Sequence, residues 1–316
     1  MNAERWPDFI VIGAGKSGTT ALNEYLTQHP EIFMALRKEP NFFGLEDVNP
    51  DDYELEESRA YYYESVYEKD EYLSLYKGAR ENQKTGEISN LYLFSPEACC
   101  SIKKYAPEAK LIAILRQPAD RLFSRYVHLV REDMIPEQGI SHLFDRNSIW
   151  WKRPDLVPEG FYYKHLQKYF EGFPPENIRV YLYEDFRKNP MDTLSDIFEF
   201  IGVNSNLRVD TDVVVNKSGR RKKNVFNLLL GQNGALINLS KSVLPGVHEK
   251  FKRNKNVVKY LNKVRNKNII PLKMSPEFRD RITTEIYHDD IRNLSKLLNR
   301  DLEHWLARGT ISSSAS

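Results

Sequence analysis

The sequence has only two cysteines among its 316 residues, and they are neighbours, Cys99 and Cys100. Adjacent cysteines do not indicate a disulfide framework, so a small disulfide-stapled scaffold is excluded. Long apolar runs are lacking too, and no stretch predicts a membrane span. The first residues, Met1–Arg5, do not have the pattern of a signal peptide. We therefore expect a cytoplasmic protein without a transmembrane segment.

Charge of one sign is not in excess, because 46 Lys and Arg residues stand against 44 Asp and Glu, for a net charge of +2. This balance does not predict a dedicated nucleic-acid binder. No group of residues has the spacing of metal ligands, so we expect no metal. An apolar fraction of 41% is typical of a globular protein with a full core. Only the tail, residues 311–316, is low in complexity, and we expect it to be frayed.

The sequence is organised around the stretch Pro7–Pro30. Its apolar run Phe9–Ile12 predicts a strand, and the helical spacing of Leu22, Tyr25 and Leu26 predicts a helix. The turn between them, Gly13–Thr20, has three glycines, one lysine and three hydroxyls. Free backbone N–H groups and the helix dipole favour an anion at such a turn.

Four interpretations of this turn compete. A P-loop needs a glycine where the sequence has Ile10. A dinucleotide fingerprint matches formally through Gly13, Gly15 and Gly18, but no second strand ending in an acidic residue follows at the required distance. A phosphosulfate loop would use Lys16 and the hydroxyls to hold a nucleotide 5′-phosphate. A tight strand–helix turn without any ligand is the fourth possibility.

Three further apolar segments predict strands, and they are Thr85–Phe94, Lys110–Leu115 and Asn177–Tyr183. Helices are predicted between and after them, over Glu97–Tyr105, Ala119–Arg131, Gly160–Phe170, Met191–Ile201 and from Ser275 onward. Continuous apolar strands alternating with helices indicate an α/β fold with a central parallel β-sheet flanked by helices. The acidic, tyrosine-rich residues 46–76 predict surface loops and a helix over Tyr61–Tyr76. In the helix Gly160–Phe170 we expect Tyr163, Leu166 and Phe170 to share the inner face.

Polar side chains gather where the predicted strands end. Arg116 follows the strand Lys110–Leu115, and ligands of open α/β sheets bind beyond the carboxyl ends of strands. Ser124 and His128 are four residues apart, so they share a face of the next helix. The turn Lys38-Glu39-Pro40 comes soon after the first helix, and we expect it to fold back beside the glycine turn. Each residue taken singly is also compatible with an ordinary structural role.

Two later segments are basic. The turn Asn216–Lys223 suits a phosphate clamp, although an ordinary basic surface loop has the same composition. Residues 224–270 change from apolar to basic, which predicts a helical cap or insertion that closes over a substrate or meets an acidic partner. A solvated charged face is the alternative. We expect one domain over residues 1–316 that includes this cap.

These motifs resemble those of the PAPS-dependent sulfotransferases, where PAPS is 3′-phosphoadenosine 5′-phosphosulfate. The segments that carry the resemblance are PDFIVIGAGKSGTTALNEYL, LIAILRQPADRLFSRYVH, VVNKSGRRKK and SPEFRDRI through NRDLEHW. The resemblance runs over nearly the whole chain and points to the branch with the heparan sulfate enzymes, or to bacterial or polyketide-synthase-associated members. It implies a P-loop-like sulfotransferase fold, and the region 224–270 departs from the glycan enzymes.

The resemblance also implies roles for individual residues. The 5′-phosphosulfate end of PAPS would be held by Lys16, Ser17, Gly18, Thr19 and Thr20, the 3′-phosphate by Arg116 and Ser124, and the nucleotide would be covered by Lys217, Ser218, Gly219 and Arg220. Glu39 matches the catalytic glutamate of the heparan sulfate branch, Glu87 a second acidic position, and His128 a histidine implicated in catalysis. Ile88 stands where a basic residue often follows the second glutamate.

The implied reaction is sulfuryl transfer from PAPS to an acceptor hydroxyl, with PAP (adenosine 3′,5′-bisphosphate) as product. Glu39 would accept the hydroxyl proton, with His128 as rival or partner, and Lys16 would stabilise charge on the bridging oxygen. The acceptor would be a glycan, a small metabolite or a β-hydroxyacyl chain on an acidic carrier protein. The alternatives are a kinase-like phosphotransferase that needs Mg²⁺ and a non-catalytic nucleotide-binding module.

Overall fold

A computed structural model of the chain describes residues 4–52, 62–132, 134–135, 137–211, 220–221, 269–270 and 272–306. The chain divides into two compact units. The first unit consists of Met1–Leu122, His142–Val214 and Ser275–Ser316, and the second of Phe123–Ser141 and Val215–Met274.

The first unit is built on a five-stranded sheet in the order β2-β3-β1-β4-β5, in which every neighbouring pair is parallel. The strands are β1 Phe9–Gly13, β2 Ile32–Met34, β3 Lys84–Ile88, β4 Lys110–Leu115 and β5 Ile178–Leu182. Strand β1 is central and wholly buried, since it lies between β3 and β4. The predicted α/β fold with a parallel sheet is therefore confirmed.

Helices follow the strands and pack on the sheet. Those of the first unit, with α5 continuing into the second, are α1 Thr19–Leu26, α2 Lys69–Ser74, α3 Leu91–Phe94, α4 Ala98–Tyr105, α5 Pro118–Arg131, α6 Ile149–Lys152, α7 Tyr162–Gly172, α8 Tyr183–Lys188, α9 Pro190–Ile201, α10 Pro276–Ile282 and α11 His288–Leu297. A π-helical turn, Thr283–Tyr287, joins the last two. Short 3₁₀ turns include Phe42–Gly44 and Pro158–Gly160.

Local sequence signals account for two helix ends. Ser275 caps α10 by accepting a hydrogen bond from the Phe278 N–H at 3.2 Å. Gly202 ends α9 in the left-handed conformation at φ 79°, which glycine adopts without steric cost. The inner face of α9 is buried as its spacing predicts, through Leu194, Ile197, Phe198 and Ile201.

Three sequence predictions about elements are wrong in part. The strand predicted over Thr85–Phe94 ends at Ile88, and Leu91–Phe94 is a short helix instead. The helix predicted over Tyr61–Tyr76 is shorter than expected: among the described residues of 46–76, a helix spans Lys69–Ser74, and residues 62–63 form one short helical turn. Tyr72, predicted at the surface, is buried.

The buried face of α7 is also shifted from the predicted one. Tyr162, Leu166 and Tyr169 face inward, in place of Tyr163 and Phe170. Both inward tyrosines find acceptors, because the Tyr162 hydroxyl donates to the Arg116 carbonyl at 2.9 Å and the Tyr169 hydroxyl donates to the Tyr92 carbonyl at 2.5 Å. A tyrosine whose hydroxyl has a partner is readily buried, and hydropathy spacing does not report such partners.

The second unit contains the end of α5 and an antiparallel pair of two-residue strands, β6 Arg220–Arg221 and β7 Ile269–Ile270. The predicted cap 224–270, apart from β7, and the tail 311–316 lie outside the described residues. Among the helices that the structure describes, none is both long and apolar enough to cross a bilayer.

Candidate functional site

The glycine turn leaves β1 at the centre of the sheet and enters α1. Its backbone is left-handed at Lys16, with φ 65°, and at Gly18, with φ 91°. Gly18 is the N-cap of α1 and supplies no side-chain cap, so the N–H groups of the first helical turn have no bond from that residue. Lys16 adds a positive charge beside them. This is the arrangement that favours an anion.

The Ser17 hydroxyl supports an anion in the same turn. Ser17 is completely buried, and its Oγ atom has no hydrogen-bond partner among the described residues. A buried hydroxyl without a partner is costly, because it has lost its water and gained nothing. A phosphate or sulfate oxygen at the turn would supply the missing acceptor. The residues present therefore fit a phosphate-type ligand.

Arg116 lies at the end of β4, next to the strand that carries the glycine turn. Its guanidinium donates to the Lys16 carbonyl at 3.3 Å, so the expected proximity of these two positions is confirmed. The Tyr162 hydroxyl fixes the Arg116 backbone by donating to its carbonyl. The two basic side chains thus come from the carboxyl ends of adjacent parallel strands, where ligands of open α/β sheets bind.

Tyr183 also lies at this site, although it is not among the residues predicted from the sequence. Its ring centroid is 5.1 Å from the Arg116 guanidinium carbon, a cation–π distance. A Cβ atom at Gly18 would lie 3.1 Å from the Tyr183 ring, so the tyrosine packs directly on the glycine turn. The available signal was its position, because Tyr183 follows β5 as Arg116 follows β4.

A cavity of about 480 Å³ opens beside Arg116 and Tyr183. Three further cations line it, Arg187, Lys188 and Arg279. Arg279 is paired with Asp120 at 3.1 Å. Two carboxylates, Asp120 and Glu184, line it as well. The first unit thus offers a cavity with more cations than anions, large enough for part of a nucleotide, beyond the ends of β4 and β5.

Glu39 is held close to the glycine turn through Lys38. The Lys38 ammonium donates to Glu39 Oε1 at 3.0 Å and to the Thr20 hydroxyl at 3.2 Å. Asn90 donates to the same carboxylate oxygen at 2.9 Å. The Glu39 side chain remains 31% exposed, so a substrate hydroxyl can reach it. The turn Lys38-Glu39-Pro40 does fold back beside the glycine turn, as its position in the sequence predicts.

The Glu87 carboxylate is in a different environment. It is completely buried on β3, and it accepts hydrogen bonds from the hydroxyls of Tyr72 at 2.6 Å, Tyr92 at 3.1 Å and Ser89 at 3.0 Å. Burial raises its pKa to about 7, although the three hydroxyl bonds oppose that rise. A carboxylate enclosed in this way cannot touch an acceptor hydroxyl, so the geometry does not support the catalytic role that its motif position implies.

Glu87 is nevertheless connected to the turn that carries Glu39. Ser89, which donates to Glu87, also accepts the Asn41 N–H at 3.1 Å. The Glu39 N–H donates to the Ile88 carbonyl at 2.9 Å. The end of β3 therefore holds the backbone on both sides of Pro40. A structural contribution by Glu87 to that turn is what these contacts support.

The remaining predicted residues belong to the second unit. Ser124 and His128 lie on α5 beyond Leu122, and Ser124 is buried. His128 Nδ1 is 2.9 Å from an Arg131 guanidinium nitrogen. Lys217, Ser218 and Gly219 lie outside the described residues, and the Arg220 backbone pairs with Ile270 in β6 and β7. No group of three or more potential metal ligands occurs in the part of the chain that the structure describes.

Comparison with known proteins adds a family to this geometry. The model of the sulfotransferase domain matches residues 6–224. A solved structure, a sulfotransferase from Alicyclobacillus acidocaldarius, shares the fold with a TM-score of 0.67 and 25% identity, over 95% of this chain and 99% of that one.

The relatives include enzymes named for heparan sulfate, of which two are described. The Homo sapiens bifunctional heparan sulfate N-deacetylase/N-sulfotransferase 3 is 28% identical over 212 residues, which are 63% of this chain and 23% of that protein. The Mus musculus heparan sulfate glucosamine 3-O-sulfotransferase 3A1 is 26% identical over 212 residues, 66% of this chain and 48% of that protein. The matches thus cover about a quarter to a half of these relatives.

Proposed function

The chain belongs to the sulfotransferase domain family, and from that premise we propose that it transfers a sulfuryl group from PAPS to an acceptor hydroxyl. The observation that carries the proposal is the 3.3 Å contact between the Arg116 guanidinium and the Lys16 carbonyl. It supports one site with two basic side chains, and such a site suits a donor that has a phosphate group at each end of its ribose.

The glycine turn is the proposed site for the 5′-phosphosulfate end. Lys16, Ser17, Gly18, Thr19 and Thr20 would hold it, as their motif implies. When bound, PAPS supplies an activated sulfuryl group whose leaving group is a phosphate. The Lys16 ammonium would stabilise the negative charge that develops there, and the orphaned Ser17 hydroxyl would gain an acceptor.

The 3′-phosphate is assigned to Arg116 and, from the sequence motif alone, to Ser124. A guanidinium donates two parallel hydrogen bonds to a phosphate, which suits Arg116 better than a lysine for this task. The segment from Lys217 to Arg220 is proposed to cover the nucleotide, again from its motif alone.

The acceptor hydroxyl must lose its proton as it attacks, and Glu39 is the proposed base. Its carboxylate is partly exposed and shares the Lys38 ammonium with Thr20 of the glycine turn. Positioned bases contribute roughly 10²- to 10⁴-fold to a rate. His128 remains the rival on the strength of its sequence motif. Transfer of this kind depends mainly on positioning and charge stabilisation.

The acceptor class is a proposal at the level of chemistry. Both relatives are named for a glycan, and the name of the 3-O-sulfotransferase favours a glycan hydroxyl, whereas that of the N-sulfotransferase indicates a glycan nitrogen. A small metabolite, or a β-hydroxyacyl chain on a carrier protein, is the other candidate. The run of basic residues within 248–268 of the sequence would suit an acidic carrier.

Two measurements in sequence test the proposal. Calorimetry with PAP should give a saturable heat, with ATP and Mg²⁺ as the comparison ligand. A screen with radiolabelled PAPS against glycans, phenols and acyl-carrier substrates should then label one class. Tighter binding of ATP with Mg²⁺ would reject the sulfotransferase proposal in favour of a phosphotransferase. Absence of binding by both ligands would reject both enzyme classes.

A further inference from the structure

The turn that precedes α7 is held by side chains along its whole length. Arg121 donates to the carbonyls of Asp155, at 3.2 Å, and Leu156. The Tyr287 hydroxyl donates to the Val157 carbonyl at 2.9 Å. The next carbonyl, that of Pro158, lies 2.8 Å from His165 Nε2; burial lowers the His165 pKa to about 4, so the ring is neutral and that nitrogen carries the donated proton.

The residue that this turn presents is Glu159, and its carboxylate meets the glycine turn of β1. Gly15 N–H donates to Glu159 Oε1 at 2.6 Å. A Cβ atom at Gly15 would lie 2.9 Å from the same oxygen, so a larger residue there would displace the carboxylate from its present position. The bond joins residues 144 positions apart in the sequence. Glu159 therefore fixes the backbone just before Lys16.

A carboxylate beside an anion-binding turn would repel the anion unless its charge were balanced. Arg121 provides that balance, because its guanidinium lies 2.6 Å from Glu159 Oε2 and both side chains are almost wholly buried. A buried pair of this kind contributes little net stability, since burying two charges costs about as much as their attraction returns. What the two side chains do beyond pairing is to hold backbone groups, since Arg121 donates to the Asp155 and Leu156 carbonyls and Glu159 accepts the Gly15 N–H.

The same segment also reaches the second basic residue of the site. Tyr162 is three residues after Glu159, and its hydroxyl donates to the Arg116 carbonyl at 2.9 Å. One short stretch of chain therefore ties down the backbone at Gly15 and at Arg116. These are the backbones on which the side chains of Lys16 and Arg116 depend.

We propose that Glu159 is a positioning residue for donor binding, which fixes the glycine turn through Gly15 while Arg121 neutralises its charge. This inference rests on the proposed function, in which the glycine turn holds the 5′-phosphosulfate end of PAPS. Glu159 acts through the Gly15 backbone, and it takes no part in proton transfer.

Three variants separate positioning from stability. Glu159→Ala removes the acceptor of the Gly15 N–H. The double variant Arg121→Met, Glu159→Met removes both charges and keeps the volume, and such replacements of buried ion pairs often leave folding intact. It also removes the Arg121 donor from the Asp155 and Leu156 carbonyls, so its thermal midpoint is measured beside its PAP affinity. Asp290→Asn is the matched control, because Asp290 is another mostly buried carboxylate that accepts backbone N–H bonds, from Tyr163 and Lys164, without contacting the glycine turn.

The readouts are the PAP dissociation constant, the thermal midpoint and hydrogen exchange of the peptide that contains Gly15, measured without ligand. Glu159→Ala and the double variant should each weaken PAP binding about tenfold or more, as expected for a lost bond to a charged group. Exchange at Gly15 should rise in both. Asp290→Asn should keep the wild-type PAP affinity and the wild-type exchange.

A purely structural role predicts a different result, in which the folded double variant binds PAP as wild type does. That outcome, or unchanged exchange at Gly15 in the variants, would overturn the inference. Failure of the wild-type protein to bind PAP would instead overturn the proposed function. The exchange measurement needs no ligand, so it distinguishes the two failures.

Discussion

Residues other than glycine with a left-handed backbone are concentrated at the candidate site. Three of the four in the described chain are Lys16, Glu39 and Asn41, with φ of 65°, 55° and 64°. Side chains disfavour this conformation, which costs about 1–3 kcal/mol where it is held by its surroundings. Glu39 is held by the Ile88 carbonyl and Asn41 by Ser89. The backbone strain is thus located at the two turns that orient the side chains of Lys16 and Glu39.

Glu39→Gln should retain PAP binding and lose roughly 10²- to 10⁴-fold in turnover, because the amide keeps the shape of the carboxylate and cannot accept the proton. Steady-state transfer rates and PAP calorimetry measure the two effects. Glu31→Gln is the control, since Glu31 precedes β2 at the end of the strand opposite the site, and its carboxylate accepts the Asn204 N–H at 2.8 Å. A loss of activity in His128→Ala but not in Glu39→Gln would move the base to the histidine.

The buried Glu87 should make stability depend on pH. Its pKa is raised from the ordinary 4.5 to about 7 in the folded protein, so the folded state keeps the proton over a range where the unfolded state releases it. Stability from this group is complete below pH 4.5 and is lost as the pH rises through about 7, a difference of about 3 kcal/mol.

Glu87→Gln tests this by removing the titration. The free energy of unfolding in urea, measured at several values between pH 4.5 and 8, should fall with pH more steeply in the wild-type protein than in the variant. The difference between the two proteins isolates Glu87 from other titrating groups, such as Asp290, whose pKa burial raises to about 6. Parallel curves would show that the carboxylate titrates normally.

Strand β1 leads into the glycine turn and the end of β3 holds the turn that contains Glu39. The packing of these two strands depends on one glycine. A Cβ atom at Gly86 would lie 2.1 Å from Cζ of Phe9, which is its register partner on β1. Gly86→Ala should therefore destabilise the fold by about 1–3 kcal/mol, as overpacked cores do. Urea unfolding measures this loss. Adding Phe9→Leu should recover part of it, whereas strictly additive effects in the double variant would argue against the clash.

The elements that the sequence predicted best are those set by local signals. The strand Lys110–Leu115 has the bounds expected from its apolar run, and α9 ends at Gly202 as its glycine indicates. The end of β3 was misplaced, because the chain turns at Ser89, whose hydroxyl accepts the Asn41 N–H from a segment 48 positions away. Long-range contacts of this kind leave no periodic trace in the sequence.

The residues of the candidate site also differ in whether local sequence signals or long-range contacts determine their position. Lys16 and Arg116 could be brought together from the sequence, because parallel strands end at one edge of a sheet. Tyr183 could have been added by the same reasoning, because it follows β5. Glu159 could not, since its place in the site depends on a hydrogen bond across 144 positions. No strand end or motif in the sequence sets Glu159 apart from the other acidic residues.

The strand order of the whole sheet determines what the site can bind. Since β1 lies next to β4, the glycine turn and Arg116 occupy neighbouring strand ends, and a ligand with two phosphate groups can bridge them. A ligand that contacts both strand ends should bind the folded protein more tightly than a ligand with one phosphate group. Because binding to the folded state stabilises it, PAP should raise the thermal midpoint of the protein more.

Arg116→Ala should remove that advantage, because it deletes the proposed partner of the 3′-phosphate. We expect PAP affinity to fall about tenfold or more, by the loss of a charge-assisted bond, while adenosine 5′-phosphosulfate, which lacks the 3′-phosphate, loses little. The measurement is the dissociation constant of each ligand for the wild-type protein and for the variant. Arg187→Ala is the control, because Arg187 is another arginine that lines the same cavity. Equal losses for the two ligands would mean that Arg116 supports the glycine turn through the Lys16 carbonyl rather than holding the 3′-phosphate.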